Sequence, residues 1–403
     1  MTAFSSARIA RDWLALTELG PRFPGTPGEA GAFDYVVQAA KSLACETELH
    51  PYTYLGWEIL TKPKLAITAP EPTELECYAF VRCAPTGPAG VRGCLVPVGT
   101  HQVIGLYRWE KFAIVDETGG IRGYVSARPD GNAQPQPLSE GSSLLPHFAV
   151  GRNELAQIWK MLEKGHTVWV DGQIDCRWHE GATARNIVAT VAGRSSPGCA
   201  IVLCAHLDSI YGCPGANDNA GGAAVLLELL RYYSVQPLDD YSLRFIFFNG
   251  EEWNLDGSKA YVADLAARGE LTALKAVVNL DGVAETGQQI QFWAGPEELE
   301  WDLRGWLAAR LDNGGRQISY MFPPSPGSDH WPFWQQGVPV LMATGWEMEK
   351  YHLEADTCTE EGVANLVSVT GMTRYIVEKI AVWEAKTPRI EHRVDVRNTG
   401  LAS

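Results

Sequence analysis

The chain has 403 residues, with 46% hydrophobic and 20% charged side chains, enough for a full-sized core and about two or three domains. A formal net charge of −15 disfavours nucleic acid and anionic membrane surfaces as partners, and no apolar run is long enough to span a bilayer. The start, MTAFSSARIARDWLALTELG, lacks a continuous apolar segment because Arg8, Arg11 and Asp12 interrupt it, so the reading is an intracellular, cytoplasmic protein. The nine cysteines form no CxxC pair and are read mostly as buried thiols in a reducing compartment, which makes a cysteine-based zinc site improbable.

In chain order, residues 6–50 read as two helices joined by GPRFPGTPGE, followed by a strand at Thr47–His50. Residues 57–183 change texture. Short strands (AFVRCA, GCLVPVG, KFAIVDE, RGYVSAR) alternate with Gly/Pro turns, then comes the polar loop Pro129–Ser143, the helix NELAQIWKMLEKG and the strand TVWVDGQID. From residue 184 onward, strands and helices alternate. NIVATVAG, CAIVLCAH and LRFIFFNG are strands, and AGGAAVLLELLRYYS is a helix starting after Asn219. AVVNLDG, QIQFWAG, the helix ELEWDLRGWLAARL, VPVLMAT and a long final helix follow. The near-continuous apolar run LRFIFF suits a strand buried on both faces. The fold class is therefore α/β: a three-layer sandwich on a mostly parallel sheet from residues 1–56 and 184–403, with a β-rich insert at 57–183.

Ligand-type residues fall at the downstream ends of these strands. His206 and Asp208 follow IVLCA; Asp218 lies in GANDNAGG; Glu251 and Glu252 follow FIFFNG; Asp281 follows AVVNL; His352 and Asp356 lie in YHLEADT. In open α/β sheets the carboxyl ends of the strands form the functional edge. Two adjacent glutamates at a turn repel unless a cation offsets them. Histidine and carboxylate ligands without cysteine suit catalytic zinc, with Co2+ or Mn2+ as substitutes. A two-metal hydrolytic site needs a bridging carboxylate and a proton acceptor, so one glutamate of the pair binds metal and the other is the base.

In this order and spacing, AHLDS, GANDNAGG, NGEEWNLDGS, NLDG, SDHWPF and YHLEADT resemble the M28 family of di-zinc aminopeptidases and carboxypeptidases. The insert resembles the protease-associated module of some members. The resemblance implies two zinc ions per chain with His206, Asp218, Glu252, Asp281 and His352 as ligands, Asp218 bridging. It implies Glu251 as general base and Asp208 as acceptor of the other ring proton of His206. The expected reaction is hydrolysis of a peptide or small amide, foremost by an aminopeptidase on dipeptides or short peptides. Three alternatives stand beside it: a glutaminyl cyclase-like acyltransferase with one zinc, an amidase for a small-molecule amide, and a binding protein with a decayed site. Asp281 separates the first, because a second metal on it favours hydrolysis. His330 is expected to hold its loop through Asp329 or to line the pocket, not to bind metal; Asp356 is expected to steady the His352 region. Trp253, Trp331, Trp334 and Trp346 either form an aromatic pocket or pack the core. Arg304 and Arg316 are available to receive a substrate carboxylate. The oligomeric state is left open.

Overall fold

Helix α1 (Ser6–Glu18) starts at Ser5, whose side chain accepts from the Arg8 N–H, and it buries the stripe Ile9, Trp13 and Leu16. Helix α2 (Pro27–Lys41) starts at Thr26 with proline in its first turn, where a missing N–H costs nothing. These elements belong to a computed structural model that describes residues 4–43, 45–103, 107–138, 143–195, 198–285, 289–309, 317–345 and 349–384. Trp346, Arg316 and His392 lie outside the described residues.

Strand β1 (Glu46–Ile59) leads out of this layer into a second sheet built from residues 64–173. That sheet comprises β2 (Lys64–Ala69), β3 (Thr73–Leu75), β4 (Cys77–Val81), β5 (Val91–Val103), β6 (Tyr107–Val115), β7 (Ile121–Ala127), β8 (Gln136–Pro137), β9 (His147–Val150) and β10 (Trp169–Gln173). Its order is β3-β2-β10-β5-β6-β7-β9-β4-β8, and α3 (Arg152–Glu163) packs against it through Leu155, Ile158 and Met161. Sequence reasoning anticipated its longer strands and α3 but missed the short β2, β3, β8 and β9, which have little pattern of their own. The chain returns along β11 (Cys176–Val191), which pairs antiparallel with β1 from Ile59↔Cys176 to Glu46↔Thr190. This ribbon is longer than the strands legible in the sequence, because half of it carries polar residues that do not alternate.

The remaining strands are β12 (Ala200–His206), β13 (Ser242–Phe248), β14 (Leu274–Leu280), β15 (Gln289–Gly295), β16 (Gln317–Met321) and β17 (Val340–Gly345). Together with the ribbon they form an eight-stranded sheet of order β1-β11-β13-β12-β14-β17-β15-β16. The central run β13-β12-β14-β17 is parallel, as expected, while β1, β11 and the β17–β15 junction are antiparallel. Side chains alternate across the sheet. Ile201, Leu203, Phe245 and Phe247 face α1, α2, α4 (Gly221–Val235), α6 (Glu297–Ala308) and α8 (Glu360–Val382). Val202, Cys204, Ile246 and Phe248 face α5 (Asp256–Ala267) and α7 (His330–Gln335). Each fully buried Phe, Leu or Ile contributes about 1.5–3 kcal/mol, so the double-sided burial of β12 and β13 anchors the strands whose ends carry the site. Among the described residues, no helix is long and apolar enough to cross a membrane.

Candidate metal centre

The downstream ends of β12, β13, β14 and β17 open on one edge of the sheet. His206 is the last residue of β12 and is completely buried. Its Nδ1 donates to the backbone carbonyl of Asp208 at 3.1 Å, which leaves Nε2 aimed at Asp218 Oδ1 (3.0 Å) and Asp281 Oδ1 (3.2 Å). This corrects one expectation. The Asp208 carboxylate stands 3.7 Å from His206 Nδ1 and is committed elsewhere. Its two oxygens accept from the backbone N–H groups of Glu251 (3.3 Å) and Glu252 (3.2 Å). Asp208 thus fixes the His206 tautomer through its main chain and the glutamate turn through its side chain.

That turn explains the paired glutamates. Gly250 has φ +79°, and a Cβ there would meet the Tyr52 hydroxyl at 2.6 Å, so only glycine permits the reversal. The two glutamates then diverge. Glu252 is buried and its Oε2 lies 3.2 Å from His352 Nε2, while Glu251 is half-buried. Burial pushes the Glu251 carboxyl well up, and the Asp281 and Glu252 charges add to this against the opposing pull of His206.

Asp218 stands in a π-type turn, Ala216–Ala220, just before α4. Its backbone is held by Asp356, whose carboxylate accepts from Asn217 N (2.8 Å) and Asp218 N (3.1 Å). Asp356 therefore steadies the Asp218 loop more directly than its own neighbourhood. Burial raises its carboxyl to about 7 although these two hydrogen bonds favour the charged form. Asp218 Oδ1 faces His206 and Oδ2 faces His352 (3.4 Å), so one carboxylate touches both histidines. Asp281, after β14, is oriented by Ser328, whose hydroxyl donates to Oδ2 at 2.6 Å and in turn accepts from Asn279 Nδ2 at 2.7 Å. Sequence reasoning missed Ser328 and Asn279 in this role; Ser328 opens the SDHWPF motif, which was the available signal. His352 sits in the left-handed region at φ +63°, a conformation that costs about 1 kcal/mol or more and is held by its surroundings.

Two ligand clusters result, His206–Asp218–Asp281 and Asp218–Glu252–His352, each buried and each with its ligand atoms within 4.8 Å of one another. Asp218 is common to both. Glu252 Oε1 and His352 Nε2 are buried with no hydrogen-bond partner. Burial opposes a charged His352, yet the Glu252 and Asp218 carboxylates push its pKa up to about 10, and His206 is likewise raised against burial by Asp281 and Glu251. Orphaned donor atoms inside such a negative field are what a divalent cation would satisfy, and the His/carboxylate donor set suits zinc.

The remaining candidates fall outside both clusters. Buried His330 donates from Nε2 to the Ser325 carbonyl at 2.9 Å, and burial lowers its pKa to about 4. Trp253 stacks on Phe23 at 4.9 Å and meets Tyr54 edge-on, and Trp334 lies over Gly295, so both serve packing. Trp331 is half-buried. Arg304 is tied to Glu300 on the surface of α6. Sequence reasoning also missed two supports. Arg22, fully buried in the GPRFPG turn, donates to the carbonyls of Leu207 (2.8 Å), Pro214 (2.5 Å), Gly215 (2.8 Å) and Leu16 (3.3 Å). Pro135, in the segment between β7 and β8, accepts from His352 Nδ1 at 2.8 Å.

A three-layer α/β sandwich whose parallel strands lead to two carboxylate–histidine clusters sharing one aspartate has the architecture of a metal-dependent hydrolase. Residues 186–376 match the model of Peptidase family M28. The chain is 34% identical over 125 residues to a Mycobacterium tuberculosis protein described as "Probable lipoprotein aminopeptidase LpqL", covering 30% of this chain and 24% of that one. It is 31% identical over 143 residues to aminopeptidase YwaD of Bacillus subtilis, covering 34% and 30%. The match thus spans less than a third of either curated relative. A solved zinc aminopeptidase from Bacillus subtilis superposes with a TM-score of 0.71 at 19% identity, over 94% of this chain and 96% of that one, which shows the shared fold.

Proposed function

We propose that the chain is a di-zinc aminopeptidase acting on dipeptides or short peptides. The observation that carries this reading is the pair of buried clusters joined by Asp218. His206, Asp218 and Asp281 would hold one ion and Asp218, Glu252 and His352 the other. When bound, the ions supply Lewis acidity to the scissile carbonyl and make water easier to deprotonate. Glu251, whose backbone N–H is held by the Asp208 carboxylate beside the clusters, accepts the proton of the attacking water and delivers it to the leaving nitrogen. Asp208 holds the glutamate turn through the backbone N–H groups of both glutamates. The aminopeptidase names of both curated relatives support the N-terminal direction of cleavage. Asp281 within a ligand cluster favours hydrolysis over single-zinc cyclisation.

In this reading residues 1–56 and 184–403 form the catalytic unit and 57–183 a protease-associated-like insert, connected by the β1–β11 ribbon. All nine cysteines are free and five are buried, which supports a reducing, cytoplasmic setting. The test is elemental analysis of freshly purified protein together with a panel of aminoacyl-anilides. About two zinc ions per chain and chelator-sensitive release of the anilide are expected. One ion with no release overturns the reading.

A further inference from the structure

His352 is held from two directions. Its Nε2 faces Asp218 and Glu252, while its Nδ1 reaches a residue 217 positions upstream, the Pro135 carbonyl, at 2.8 Å. A carbonyl only accepts, so Nδ1 carries the proton and Nε2 is the nitrogen offered to the cluster. Pro135 belongs to the segment between the two ends of the β1–β11 ribbon, on the far sheet from every other cluster residue.

The backbone at Pro135 is braced on both sides. Ahead of it, Arg128, 7% exposed, donates from one guanidinium nitrogen to Gln134 Oε1 and from Nε to Asp130 Oδ1 at 3.1 Å. The guanidinium lies so close over Gly131 that a Cβ there would meet its Cζ at 2.4 Å. The Gly131 carbonyl in turn accepts from Arg152 N at 2.8 Å, at the start of α3. After it, Gln136 and Pro137 pair with Phe80 and Val81 of β4. The carbonyl is therefore a fixed point, and it holds the one cluster histidine whose own backbone is in the left-handed region.

Resting on the two-cluster reading, we propose that the 128–137 segment is a working part of the metal centre, with Arg128 as the positioning residue that keeps the Pro135 carbonyl on His352. Cutting the brace weakens the ion held by Asp218, Glu252 and His352 and leaves the ion held by His206, Asp218 and Asp281 unchanged. A scaffold role alone would lower stability without separating the two ions. Partners that orient a ligand imidazole change metal affinity by about 10–100-fold.

The test is calorimetric titration of the chelator-stripped full chain with Co2+, with the visible absorption of the bound cobalt followed in parallel, for wild type and Arg128→Met. Wild type is expected to take two ions. Arg128→Met is expected to bind one with wild-type affinity and the other about 10–100-fold more weakly, with one component of the cobalt spectrum altered. Asp130→Ala and Gln134→Leu each cut one bond of the brace, should weaken the same ion by a smaller factor, and carry the test if Arg128→Met does not fold. Two ions at wild-type affinity in the folded variants, or equal weakening of both, overturns the proposal. A wild-type chain that takes fewer than two ions overturns the two-cluster reading instead.

Discussion

Replacing Arg22 with methionine tests how the metal edge is held together. Arg22 is completely buried, and its guanidinium donates to four backbone carbonyls, those of Leu16, Leu207, Pro214 and Gly215. Three of these lie in the 207–215 loop between His206 and Asp218. Burial lowers the pKa of Arg22, and the charges of Asp356, Asp208 and Asp218 work against that. Arg22→Met keeps most of the apolar stem and removes every donor. At about 1 kcal/mol or more for each buried carbonyl left unpartnered, and with some relief from no longer burying a charge, the net loss is about 3–5 kcal/mol. For a cooperative unit of about 275 residues this lowers Tm by about 5–9 °C. The assay is differential scanning calorimetry on chelator-treated protein, so that metal binding does not mask the change. Arg22→Lys should recover less than half of the loss, because one ammonium cannot reach carbonyls spread over the fork. A fall in Tm below about 2 °C for Arg22→Met would refute the reasoning, since the carbonyls would then have to be satisfied without the guanidinium.

Four further outcomes are expected. Glu251→Gln should retain two ions by elemental analysis while kcat falls by about 100-fold or more; near-normal turnover would remove Glu251 from the role of base. His206→Ala should lose one ion of the two on the same measurement, and retention of both would break the first cluster. Chelation should lower Tm and zinc restore it, because each site adds about 4 kcal/mol of stability when free zinc is 1,000 times its Kd; a Tm indifferent to zinc would argue against a bound ion. Stability should fall on acidification from pH 6.5 toward about 4. Burial and the Lys111 charge lower His101 to about 4, and burial first, then His101 and Lys111, lower His147 further. The unfolded chain therefore binds protons in this window that the folded chain refuses, and folded stability is full above it and lost through it. His147→Phe should flatten that slope in urea titrations, and an unchanged slope would show that other groups set it.

What the sequence by itself determined is where the candidate ligands fall in the fold. Strand ends just before or at His206, Glu252 and Asp281 were legible because apolar runs of five to seven residues stop at a polar segment, and buried parallel strands have that pattern, whereas His352 lies seven residues beyond its strand in the YHLEADT motif. Asp218 was legible from the glycine-rich turn before α4. The division of labour between Glu251 and Glu252 was open in the residues alone and rested on resemblance. In space, Gly250 at positive φ sets the turn, and Glu252 but not Glu251 joins a buried ligand cluster. Tertiary structure also decided the supports, and for one reason. Most of these contacts join residues far apart in the chain and many end on backbone atoms, which no side-chain pattern records. The Asp208 carboxylate binds two main-chain N–H groups rather than an imidazole; Arg22 binds main-chain carbonyls; the Pro135 carbonyl, 217 residues before His352, fixes that ring. A motif names the side chain that does the chemistry, whereas the hydrogen bond that aims it can come from any residue whose backbone passes close enough.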